Sequence, residues 1–455
     1  MAETPETTAK TLKDSKFVRW SMLVLISFLF FATYWFQDVF SPLKGLMQSE
    51  LGIDSADFGI VVSATTWANC LGMILAGGII LDKWGVRVSS AIFGLLVTLG
   101  GILTTLGASD VITTDPGNKL ILMAAGRIVF GVGLEITCVI VSRVVVKWFK
   151  GYELALAMAI NVGFGRLGSF FAVSFSLDLA GGKVMPALAT GASLIGAAFI
   201  LLLIYLVFDK KLDTQQQAAA EGGDEEKFRF ADFVSLLKNP TFLWIAALCV
   251  AYYSAVFPFI SAYGPSILHA NFGFDMALPK NFGSLSFTGK VGAYLTNGPK
   301  IAGLIPLGSI IFTPIFGSLI DRKGRAASMM ILGSILLIFS HVTLAFIHVQ
   351  ALAYVALFCL GVAFSLVPAA MWPSVAKIVA ENRLGTAYAT MFTIQNWGLA
   401  VFFFLPGQLL KSTGNNYTIA LAPFVVLGVI SIWFALQLKA SDKRNNLGLE
   451  RPFAS

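Results

Sequence analysis

Glu135 and Arg166 are ionisable side chains inside stretches that are otherwise apolar. A charge in hydrocarbon costs roughly 2.5–3.5 kcal/mol even on the lenient insertion scale, so such residues pair, face a cavity or line a substrate path. Glu135 lies twelve residues before Lys147, about 18 Å along a helix, and Arg166 fifteen after Gly151, about 22 Å. Consecutive helices running in opposite directions would bring both to similar depth. Gly163, Gly165 and Gly168 leave room around Arg166. A guanidinium binds a carboxylate bidentately and a carboxylate accepts from an ammonium, so the pair suits a zwitterionic ligand. The alternative is a structural bridge in which the two charges neutralise each other.

An internal repeat widens the candidate site. A constant offset pairs Gly131-Val132 with Gly361-Val362, Leu154 with Leu384, Ala157 with Ala387 and Gly168 with Gly398. It carries Glu135 onto Ser365 and Arg166 onto Asn396. Charge thus gathers in the first half and neutral hydrogen-bonding groups in the second, where Gln395, Tyr252, Tyr253, Trp372 and Trp397 are expected to complete the face. Tyr and Trp also form interfacial belts at helix ends. His341 and His348 read as lipid or packing contacts, and His269 as an outer-loop residue.

The elements that position these residues are membrane helices. Of 455 residues, 56% are hydrophobic and 13% charged, against roughly 25% charged in a soluble domain. About twelve segments reach the ~20 residues needed to cross a bilayer. They divide into a tail (1–19), a six-helix bundle (20–208), a linker (209–240), a second bundle (241–438) and a tail (439–455). A short surface helix is expected near Phe230–Leu237, and a long loop at 269–299. With both termini inside, about 23 Lys and Arg fall on the cytoplasmic side and about seven outside, as the positive-inside rule requires. The net charge of +7 therefore needs no nucleic-acid partner. No cleavable signal peptide is expected. Cys70, Cys138, Cys249 and Cys359 lie in apolar stretches without disulfide or metal spacing. No P-loop, His/Cys metal cluster or supported Ser-His-Asp order occurs, so enzyme and built-in ATP hydrolysis are not expected.

A G-x-x-x-D-K/R-x-G-x-R pattern occurs twice, at Gly78, Asp82, Lys83, Gly85, Arg87 and, with its last Arg one place earlier, at Gly317, Asp321, Arg322, Gly324, Arg325. Its recurrence at matching places resembles the signature of the major facilitator superfamily. The resemblance implies an all-α membrane fold of two pseudo-symmetric six-helix bundles, with these loops latching helices during alternating access. Arg127, Gly131 and Gly133 look like the family's fourth-helix motif; Arg127 reads as a structural anchor to carbonyls or a modulator of proton movement.

Within the superfamily, WFKGYELALAMAI and GRLGS (148–169), VFPFI (256–260) and PSVAKIVAENRLGTAY…IQNWGLA (373–400) resemble the lysosomal dipeptide-transporter branch of animals and its microbial relatives. That resemblance implies uniport-like or weakly proton-linked movement of dipeptides, with Glu135 and Arg166 at the peptide termini. The reading is a transporter of short peptides in a bacterial inner membrane, expected to be a monomer, with a peptide substrate and the lipid bilayer as its partners. No accessory subunit is evident and no cofactor is expected, with proton linkage open at Glu135 and Asp38 and Asp178 as lesser proton sites. The alternatives are an organic-anion carrier using Arg166 alone, a drug exporter, and a non-transporting receptor or scaffold.

Overall fold

Hydrocarbon offers no hydrogen-bond partner to the backbone, so apolar runs close their amide bonds internally as helices. The computed structural model describes residues 11–217, 230–380 and 383–452. The first half comprises α1 (Lys16–Asp38), α2 (Lys44–Leu51), α3 (Ser55–Cys70), α4 (Met73–Gly107), α5 (Pro116–Phe149), α6 (Leu154–Ala180) and α7 (Val184–Gln217). The second comprises α8 (Phe230–Leu237), α9 (Pro240–Pro258), α10 (Gly264–Phe272), α11 (Phe287–Leu295), α12 (Gly298–Lys323), α13 (Ala326–Phe346), α14 (Gln350–Ile378), α15 (Leu384–Ser412) and α16 (Tyr417–Asn445). Eleven segments are long and apolar enough to span, and the pair Ser55–Cys70 plus Met73–Leu81, bent by 56°, makes twelve. The all-α, two-bundle architecture expected from sequence is present. Residues 1–10 of the expected first tail, 218–229 of the linker and 453–455 of the last tail lie outside the described residues. The sixth span continues to Gln217, past the expected 208, and the 269–299 segment contains α11 rather than loop alone.

Boundary chemistry is local. Asp115 caps α5 ahead of Pro116, and Asn239, Asn297 and Asn416 cap α9, α12 and α16 through side-chain oxygens; each satisfies an otherwise orphaned helix N–H. The repeated signature turns at Gly85 (φ 74°) and Gly324 (φ 71°), a backbone that favours glycine.

Small residues set the packing within each half. A Cβ on Gly168 of α6 would stand 2.2 Å from the Phe31 carbonyl of α1, and one on Gly398 of α15 2.2 Å from the Ser254 hydroxyl of α9. The repeat thus conserves a close helix approach in both bundles. Between the halves, α3 packs on α15 and α6 on α12. The central seam bounded by these two pairs holds the candidate site.

Candidate functional site

Glu135 projects from the middle of α5 and Arg166 from the middle of α6, both half-buried. They do not pair with each other: among the described residues, no carboxylate lies within ion-pair distance of Arg166. Each engages the second half instead. The Asn396 amide of α15 donates to the Glu135 carboxylate at 3.4 Å. The Arg166 guanidinium lies 4.2 Å from the ring centroid of Phe364 on α14, a cation–π contact, and among the described residues it has no hydrogen-bond acceptor. The self-neutralising bridge is therefore not what the structure holds. Tyr34 of α1 sits within electrostatic reach of both Glu135 and Arg166, as Tyr252 and Tyr253 do for Arg166. One arginine, one glutamate and three tyrosines thus share a single region of the seam.

The other expected site residues divide. Asn396 is buried, its amide also donating to the Phe392 carbonyl at 2.9 Å, and its Oδ1 has no partner among the described residues. The buried Tyr252 hydroxyl is likewise unpartnered among the described residues. Such orphaned polar atoms are uncommon in interiors; Asn396 stands beside Glu135 and Tyr252 within electrostatic reach of Arg166. Trp372 is half-buried and donates from Nε1 to the Tyr253 hydroxyl at 2.9 Å, stacking on Phe392. Ser365 and Gln395 are turned to other tasks. The buried Ser365 hydroxyl donates to Gly361 within its own helix, and Gln395 Oε1 accepts from the Cys249 thiol. Sequence reasoning passed over Phe364 and Tyr34. Their signal was present but weak: an aromatic beside Ser365, and one of several hydroxyl residues in the apolar first span.

Arg127 is fully buried and donates to the Phe36 carbonyl at 3.3 Å and Gln37 Oε1 at 3.1 Å, over the Phe40 ring. It ties α5 to α1.

The seam is fastened at the face distal to the chain termini. Lys411 meets Asp54 at 2.7 Å, and Lys300 pairs with Asp178 while donating to the Ser174 carbonyl at 2.6 Å. Ser55 donates to Asn415 at 2.8 Å, and the Lys44 ammonium to the Tyr417 hydroxyl at 3.2 Å. Every one of these contacts joins one half to the other. At the terminal face the signature loops bond within their own halves. Arg87 pairs with Asp213 at 3.3 Å, Lys83, Asp321 and Arg322 are exposed, and the backbone N–H of exposed Arg325 donates to the Glu450 carbonyl. The Asp82 side chain lies outside the described atoms. Among the described residues, no ion pair joins the halves at the terminal face. The half-buried Glu135 and Arg166 therefore sit below a fastened distal end.

Comparison with known proteins fits this arrangement. A family profile described as Major Facilitator Superfamily matches residues 24–309 and 300–455. A protein of Danio rerio named lysosomal dipeptide transporter MFSD1 is 30% identical, over 86% of this chain and 81% of its own length. Its Homo sapiens namesake is 28% identical, over 90% of this chain and 85% of its own. The crystal structure of the nucleoside transporter NupG superposes with a TM-score of 0.65 at 17% identity, covering 93% of this chain and 99% of that one, and shares the fold.

Proposed function

The chain belongs to the Major Facilitator Superfamily, and from that premise we propose that this multi-pass membrane transporter carries short peptides, chiefly dipeptides, through the central seam. The observation that carries the reading is the Arg166 guanidinium, held over Phe364 with no acceptor among the described residues, on the helix next to Glu135. A peptide carboxylate supplies two acceptors to that fork. The peptide ammonium goes to Glu135, with the Asn396 Oδ1 as a second acceptor. Backbone and side-chain groups of the peptide meet Tyr252, Tyr253 and Trp372, which offer hydroxyls and apolar rings but no charge. Selectivity then falls on the two termini, because leaving either interior charge unpaired is expensive, and side chains are accepted broadly. Relatives named as dipeptide transporters support the same substrate class.

The halves rock about this site. With the distal end fastened, a ligand enters from the face bearing the termini, which the positive-inside count makes cytoplasmic. Release on the other side requires Asp54–Lys411 and Asp178–Lys300 to part while α4 at its Gly85 turn closes on the terminal-face ends of α12 and α15.

The test is uptake of a labelled dipeptide into liposomes. Arg166→Ala is expected to abolish saturable uptake, and Arg166→Lys to impair it, since a point charge loses the bidentate fork. Full uptake at unchanged affinity in Arg166→Ala would reject the reading.

A further inference from the structure

At the distal end of the seam, beside the Lys300 that fastens it and away from Glu135 and Arg166, lies a cavity of about 270 Å³. Its lining comes from both halves: Phe170 and Phe175 of α6, Val291 and Tyr294 of α11, Ile301 and Leu304 of α12. Ser174 and Lys300 also stand in the wall, but the Lys300 ammonium is turned to Asp178 and the Ser174 carbonyl, so the surface left accessible is apolar. Ser174 and Leu304 each stand six residues from the ends of their antiparallel helices, about 9 Å below them at 1.5 Å per residue, within acyl-chain depth.

The roof of the cavity is equally unusual. None of the nine residues of α11 is buried. Its apolar residues, Phe287, Val291, Tyr294 and Leu295, recur at helical spacing, and the helix is tethered at one end, where the Tyr354 hydroxyl donates to the Leu295 carbonyl at 2.6 Å. On the open side the lining runs on through Leu304 into Ile311 and Ile315, the exposed apolar stripe of α12. In a bilayer-spanning chain that stripe is the lipid contact, so the cavity is an inward branch of the lipid-facing surface.

We propose that this cavity is a binding site for one acyl chain of a bilayer phospholipid, clamped between α11 and the α6–α12 seam. Because the lining is drawn from both halves, the site is complete only while the distal end is fastened. A chain seated there binds that state better than the open one and shifts the population towards it. The inference does not depend on the peptide reading, since it concerns a different cavity and its test does not read transport.

The experiment uses the whole chain in phosphatidylcholine liposomes doped with a phospholipid bearing a diazirine midway along one acyl chain. After photolysis, adducts are mapped by mass spectrometry. Adducts are expected on Val291, Tyr294 and Leu304 in excess of those on Ile311 and Ile315. Val291→Trp should cut the cavity adducts about tenfold by filling the void, since packed space does not admit added volume, and leave the Ile311 and Ile315 adducts unchanged. If Val291→Trp does not fold, Leu295→Trp, also on the unburied helix, serves the same purpose. Even labelling along α12 with none on α11, or cavity adducts indifferent to the added indole, would overturn the proposal. So would α11 that is unlabelled in liposomes because it serves a protein partner instead.

Discussion

The guanidinium of Arg166 rests 4.2 Å from the ring centroid of Phe364, joining the fifth span of one bundle to the tenth of the other. The contact holds a cation in mid-membrane without consuming its hydrogen-bond donors, which stay free for a ligand. Replacing the ring therefore loosens the arginine without removing it. Phe364→Leu is expected to weaken dipeptide affinity several-fold, the scale of a cation–π contact of ~0.5–2 kcal/mol, on top of a stability loss of about 1–2 kcal/mol from truncating a buried ring. A thermal-shift titration checks this; unchanged affinity would show that the ring only packs.

Asn396 tests the other pole. Its amide donates to Glu135 while its Oδ1 stands free. Asn396→Leu removes both and should weaken dipeptide binding by roughly ten- to a hundredfold, in keeping with ~1.5–3 kcal/mol for a hydrogen bond to a charged group. Asn396→Asp places a second carboxylate beside Glu135 and is expected to lose more. Equal binding by the three proteins would separate Asn396 from the site.

At the distal end, Lys300 is 6% exposed and depends on Asp178 for its counter-charge. Breaking a buried pair costs roughly 3–5 kcal/mol; with Asp178 37% exposed, the lower end of that range is expected. Asp178→Asn should lower the melting temperature and favour the distally open state. The double variant with Lys300→Met should recover part of the loss, because the stranded charge is then gone. A melting-temperature cycle over the two single variants and the double decides between coupling and independent effects.

Close packing at the same end gives an independent handle. A Cβ on Gly407 would stand 2.4 Å from the Ser55 carbonyl and 3.0 Å from Gly59 Cα, so α15 and α3 cannot keep their present approach. Gly407→Ala is expected to cost about 1–3 kcal/mol and to part the two helices. Pulsed electron resonance between spin labels on their distal ends should record a longer distance.

The Asp54–Lys411 bridge is pH-dependent with a definite sign. Partial burial pushes the Asp54 carboxyl up, but the Lys411 ammonium and the Asp57 and Ala56 backbone amides outweigh it and hold the carboxyl below its ordinary value. Such a group adds to the fastened state above the usual carboxylate range, and the addition is lost as pH falls through its lowered value. Distal closure should be flat from pH 8 to 5 in this contribution and weaken only below about pH 4. Lys411→Met should remove that acid limb; an unchanged limb would assign it elsewhere.

What the sequence made legible follows from what leaves a one-dimensional trace. Apolar runs, the repeated Gly85 and Gly324 turns, and charges stranded in hydrocarbon are local patterns, and they gave the two bundles and the Glu135 and Arg166 candidates. Contacts between the halves leave no such trace. Asn396 and Glu135 are 261 residues apart, so nothing in their own segments showed that each charge would face the opposite bundle rather than its neighbour. The repeat pairs Arg166 with Asn396 and Glu135 with Ser365, yet Ser365 bonds within its own helix, because a hydroxyl in a helix readily donates to the carbonyl four residues back. The docking of the final residues also escaped: Glu450 accepts from the Ser328 N–H at the start of α13, a helix-end contact with no sequence periodicity.

The central claim is that Arg166 recognises the peptide carboxylate. The direct measurement compares binding of a dipeptide and its C-terminal amide to the wild-type chain and to Arg166→Ala. The account predicts that amidation weakens wild-type binding by about tenfold or more, the loss of a charge-assisted pair, and that Arg166→Ala binds the two forms equally. An Arg166→Ala protein that still prefers the free carboxylate by the wild-type margin would contradict it.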